Sequence, residues 1–167
     1  MIEARRSRPI LRLPAIPVLA GAIAWSFAAG LIAALHLAQT GRFDGFNLSA
    51  ILTVYAAGGA LSWLMSVVCL ALLRPLLVTS PITLVLVAFL GLGLATITVT
   101  AGLFALDYRA FYARWHADAF SRDWFLQQAF TTASAVYQFL VIGLRMYLPY
   151  GPLVLAGATA LLLRTTR

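Results

Sequence analysis

Three long apolar runs, residues 14–38, 48–73 and 81–106, contain no Arg, Lys, Asp or Glu. A shorter run, 146–163, follows near the end of the chain. In helical form, about 20 apolar residues rising ~1.5 Å each cross a hydrocarbon layer of ~30 Å. The pattern therefore predicts an all-α integral membrane protein with four transmembrane helices over these runs, in one membrane domain spanning 1–167. The punctuation agrees. Pro14 and Pro17 fall in a first helical turn, where a missing N–H does little harm. Pro75 is expected to stop the second helix. Pro81 opens the third, with Thr79 and Ser80 as candidate caps. Gly41, Asp44, Gly45 and Asn47 predict a short turn between helices one and two.

Residues 107–144 break the pattern. Tyr108, Phe111, Tyr112 and Trp115 form a helical stripe, with Arg109, Arg114 and Asp118 largely off it. Arg114 and Asp118, and Asp118 and Arg122, are spaced to pair on a helix. Such a segment suits the outer membrane interface, where aromatic rings sit at headgroup depth. Ser121 is placed to cap a further helix from Arg122. That helix begins with Gln127, Gln128, Thr131, Thr132 and Ser134, which lipid disfavours, and ends apolar over 136–144. The expectation is an outer-face amphipathic or re-entrant segment over 107–144. A fifth crossing by 122–144 is the alternative.

Charge orients the bundle. With both termini and the second connection in the cytoplasm, seven Arg face inward against Glu3. Outside, Arg42, Arg109, Arg114 and Arg122 balance Asp44, Asp107, Asp118 and Asp123. This is the positive-inside distribution. The first run is too long for a signal-peptide core of ~7–15 residues, so a retained first helix is expected. The net charge of +7 comes with 62% hydrophobic and only 10% charged residues, against ~25% charged in soluble domains. It therefore reads as headgroup contact and orientation, and not as a nucleic-acid surface. All twelve cationic side chains are Arg, a bias that points to a high-GC bacterium and its inner membrane. The sole cysteine, Cys69, excludes an internal disulfide and reads as a small apolar packing residue.

Small residues recur at every fourth position of helix one: Ala22, Ser26, Gly30 and Ala34. Such a stripe lets backbones approach where lipid supplies no hydrophobic drive between helices. Gly58, Ser62 and Ser66 offer the same spacing in helix two. Trp25, Tyr55 and Trp63 are expected to fill helix contacts. Thr96, Thr98 and Thr100 do not share one face, and their hydroxyls can return to the backbone.

Candidate chemistry is sparse. His36, Asp44, Asp107 and His116 fall on the outer side, where they could hold a divalent metal or, through the histidines, a haem, although their spacing matches no metal motif. Interfacial or hydrogen-bonded histidines are the alternative. Arg145 separates two apolar stretches and must reach an interface or a partner. An outer anchor, a salt bridge to Asp107 or a contact with an anionic headgroup would satisfy it. The three long runs carry no ionisable Asp, Glu, Lys or Arg for a proton relay, no nucleophile is paired with a base, and no phosphate loop is present. No cofactor is implied. The expectation is a non-catalytic accessory or scaffold subunit of a larger bacterial inner-membrane complex, in contact with lipids and other membrane subunits. A small homo-oligomeric transporter or lipid-carrier-binding protein, and a membrane enzyme with an outer metal site, are the alternatives.

Overall fold

Pro14 occupies the N-cap of the first helix, in extended conformation. From there the computed structural model describes residues 14–43, 47–77 and 80–166. Its elements are all helical: α1 (Ala15–Gln39), α2 (Leu48–Leu77), α3 (Pro81–Tyr112), α4 (Arg122–Gln138) and α5 (Gly151–Thr165). A 3₁₀ turn, Ala113–Trp115, follows α3. A π-helical turn, Phe139–Gly143, and a 3₁₀ turn, Leu144–Tyr147, extend α4. Three helices, α1 to α3, are long and apolar enough to cross a membrane, and the bent pair Arg122–Tyr147 and Gly151–Thr165 adds a fourth candidate if counted as one span. The protein is a membrane-embedded helical bundle.

The long runs became helices close to their predicted bounds, with three departures. The second helix does not stop before Pro75 but carries it in its last turns, to Leu77. There the proline costs the bond to the Ala71 carbonyl, one turn back, and the helix continues only to Leu77. The third helix runs past Leu106 to Tyr112, because Asp107 is no helix breaker and the aromatic stripe continues the helical face. The expected separate interfacial helix is therefore mostly the end of α3. The run 146–163 is split. Met146 belongs to the turn ending α4, and α5 starts only at Gly151. Pro149 lies in the break and holds Leu148 extended, while Pro152 sits in the first turn of α5, where its missing N–H does little harm. The axes on either side meet at 77°.

Ser121 caps α4, its hydroxyl accepting from the Trp124 N–H at 3.1 Å. Ser80 holds the N-cap position of α3 without a side-chain cap bond, and Thr79 lies outside the described residues. Gly41 has φ +68°, the left-handed region that favours glycine. Asp44 and Gly45 also lie outside the described residues.

α1, α2 and α3 pack antiparallel in sequence. Ser26 of α1 approaches Gly59 of α2 so closely that a Cβ at Gly59 would meet its Cα at 3.0 Å and the Trp25 carbonyl at 2.7 Å. A Cβ at Gly21 would land on the Trp63 indole, and one at Gly58 on the Thr100 side chain. Glycine is required at these approaches, and van der Waals contact between backbones replaces a hydrophobic drive. Trp63, 0% exposed, fills the core with Trp25, Val67, Leu70 and Leu92.

α5 lies along α3 and closes the bundle. Leu155 meets Gly93, Leu162 joins the same core, and the Arg74 guanidinium donates to the Thr166 carbonyl. At the opposite end the Gln39 amide donates to the Tyr150 hydroxyl at 2.8 Å. The bundle thus has a Gln39 end and an Arg74 end.

Candidate functional site

Most of the polar side chains that meet one another sit at the Gln39 end, where α3 hands over to α4. The Arg109 Nε–H donates to the Gln128 Oε1 at 2.9 Å. That bond turns the Gln128 amide nitrogen toward His116 Nδ1, 3.4 Å away. His116 Nδ1 then accepts, so its Nε2 carries the proton and points at the Thr131 hydroxyl, at 3.3 Å. Thr131 in turn donates to the Gln127 carbonyl at 2.6 Å. Every group in this relay has a consistent donor or acceptor role. Beside it, the Ala117 N–H donates to Gln127 Oε1 at 2.7 Å, tying the chain after the 3₁₀ turn to α4. An open recess of about 380 Å³ lies against His116, Asp123, Gln127, Phe130 and Thr131.

Aromatic side chains surround this cluster. Tyr108 and Tyr112 stack at 4.6 Å, Phe111 and Trp115 at 5.4 Å, and Phe120 and Trp124 at 5.5 Å. Arg114 lies over the Phe111 and Trp115 rings at 5.1 and 5.3 Å. It does not pair with Asp118, because the helix ends before His116, which is extended, and helical spacing no longer applies. Phe120, Phe130 and Tyr137 are all more than two-thirds exposed, an apolar surface uncovered by the rest of the chain.

The second feature is the elbow between α4 and α5. Here the Tyr55 hydroxyl donates to the Gly143 carbonyl at 2.6 Å, adding a second donor to a carbonyl at the N-cap of the 3₁₀ turn. Gly143 itself is fixed by Phe139, whose ring would lie 2.6 Å from a Cβ there. The Tyr147 and Thr100 hydroxyls lie 2.8 Å apart, and the Tyr55 and Tyr147 rings at 5.1 Å. Arg145 projects from this rigid turn and is exposed. Among the described residues no acidic side chain pairs with it, Asp107 included.

The residues singled out from the sequence are dispersed. Among the described residues no three metal-ligating side chains come together. His36 is half-buried and engages only through its carbonyl, Asp107 is exposed, and Asp44 lies outside the described residues. The His116 lone pair is taken by Gln128 in the relay. The stripe Ala22, Ser26, Gly30 and Ala34 runs along α1 beside its most buried face. Ser26 meets Gly59 and Gly30 meets Ala56, so the contact is within this chain. Cys69 is exposed and lines a lateral groove, and so is no buried packing residue. The signal for the relay in the sequence is the spacing of Thr131 from Gln127 and Gln128, four and three residues on, which sets them on neighbouring positions of one helix. The chain matches no protein-family model, no curated protein and no solved structure.

Proposed function

We propose that this protein is a non-catalytic scaffold subunit of a larger bacterial inner-membrane complex. In this reading it crosses four times, with α4 lying on the outer face and both termini cytoplasmic. The observation that carries it is Arg145, exposed on a rigid elbow. Tyr147, two residues on, meets Thr100, which lies about 12 Å along α3 from Tyr108, where the aromatic belt begins. A belt of this kind marks headgroup depth. Arg145 then sits below it, where an unpaired charge costs at least ~2.5–3.5 kcal/mol. A partner subunit offering a carboxylate or carbonyl removes that cost and also covers the exposed aromatic face of α4. The 77° bend between α4 and α5 favours α4 lying across the bundle end, and the Arg74–Thr166 contact favours the chain's last residues on the side of the α2–α3 connection.

Purification of the tagged protein in mild detergent tests the reading. Stoichiometric membrane partners, lost in Arg145→Glu, are expected. A lone monomer by native mass spectrometry contradicts it. The same exposed guanidinium favours a second reading, a homo-oligomer that holds a lipid carrier's anionic headgroup. Arg145→Ala would then remove a co-purified lipid, and no protein partner.

A further inference from the structure

At the other half of the bundle, between α2 and α3, a lateral groove of about 310 Å³ opens to the membrane. Ser66 and Cys69 line one wall, Ala88, Gly91 and Ala95 the other, and Leu162 of α5 contributes to its lining. The lining is apolar except for the Ser66 and Thr98 hydroxyls. The Ser66 hydroxyl donates to the Ser62 carbonyl at 2.7 Å, so the groove asks for an apolar occupant. A Cβ at Gly91 would meet nothing within 4 Å: this glycine keeps space open and serves no approach of helices. The volume is that of a small-molecule cleft. It is far too small for another helix, which is about 10–12 Å across.

Charge decides what the occupant carries. Arg74 follows Leu70 of the groove wall by one turn and Leu73 by one residue, and spends one donor on the Thr166 carbonyl; among the described residues the rest of its five N–H groups are available. Arg164 is exposed at the same end. Four of the five acidic residues fall between Asp44 and Asp123, in or beside the connections of the Gln39 end. Among the described residues the Arg74 end is therefore purely cationic. We propose that the α2–α3 groove is a binding site for an anionic phospholipid, its acyl chain between Ser66 and Gly91 and its phosphate at Arg74.

The test uses the full chain in vesicles that contain either phosphatidylglycerol or phosphatidylcholine with a photoactivatable group in the acyl chain, followed by peptide mapping. Labelling should concentrate in residues 65–73 and 87–98 and be about five-fold stronger with phosphatidylglycerol. Arg74→Gln should bring the two lipids level, Arg74→Lys should restore the preference, and Gly91→Leu should abolish labelling of the groove. The wild-type comparison alone suffices if a variant fails to fold. Equal labelling by both lipids, or labelling spread evenly over the lipid-facing helices, overturns the proposal. So does efficient oxidative cross-linking of Cys69 between two chains, which would give the groove to a second copy.

Discussion

The indole N–H of Trp25 in α1 donates to the Thr96 hydroxyl in α3 at 3.0 Å, in a buried setting. The Ser62 hydroxyl of α2 lies 3.1 Å from the same oxygen. One hydroxyl thus joins three helices that are otherwise apolar at this depth. Thr96 can serve because its own proton has an outlet in the Leu92 carbonyl, at 2.7 Å. In a membrane core the alternative for the indole is no partner at all. Thr96→Val is therefore expected to destabilise the bundle by about 1–2 kcal/mol. Thr96→Ser and the exposed Thr98→Val should cost little. Reversible unfolding in mixed detergent micelles measures all three.

Glycines at helix contacts and glycines facing open space should respond with opposite sign. Gly58→Ala drives a methyl into the Thr100 side chain and to 3.2 Å from its Cα. Backbone cannot move aside as a long side chain can, and a loss of about 1–3 kcal/mol is expected. At Gly102 a Cβ meets nothing within 4 Å, so Gly102→Ala should gain about 0.5–1 kcal/mol through helix propensity. The same unfolding assay reads both. Equal effects would mean that α2 and α3 do not approach at Gly58.

The elbow yields a prediction of local stability. Tyr55→Phe removes the donor to the Gly143 carbonyl while keeping the ring stacked on Tyr147. Loss of one buried hydrogen bond costs about 1–1.5 kcal/mol. Opening of the turn should therefore become about ten-fold more frequent. Limited trypsin digestion in mild detergent, cutting after the exposed Arg145, reports it as faster cleavage. Unchanged cleavage would show that the hydroxyl does not hold the turn.

The α3–α4 junction is testable by hydrogen exchange. Gln127→Ala leaves the Ala117 N–H without its acceptor, and that amide should exchange at least about ten-fold faster. Amides in the middle of α1 and α2 should be unaffected. Protection that survives the substitution would show that Gln127 does not tie the chain after the 3₁₀ turn to α4.

Legibility in the sequence followed charge. α1, α2 and α3 could be placed because a charge-free run of that length has one stable form in lipid, and the cap at Ser121 because Ser before Arg122-Asp123 is a local signal. What stayed hidden depended on partners distant in sequence. The residue that anchors Trp25 lies 71 positions away. The elbow falls inside the run 146–163, which hydropathy alone reads as one helix, because Pro149 holds Leu148 extended. Gly59 and Gly21, and not the four-residue stripe alone, mark the closest helix approach, since spacing does not reveal which face meets a tryptophan. Arg145 was legible as an outlier, but its lack of an acidic partner among the described residues was not.

The orientation of the bundle is tested most directly by accessibility from outside the cell. The experiment uses a Cys69→Ser background, an Ala119→Cys substitution, and a protease-cleavable epitope fused after Arg167. On intact spheroplasts, a membrane-impermeant maleimide should label Ala119→Cys. External protease should leave the epitope intact until the membrane is permeabilised. An epitope removed from intact spheroplasts, or a residue 119 that reacts only after permeabilisation, would contradict four crossings with α4 on the outer face.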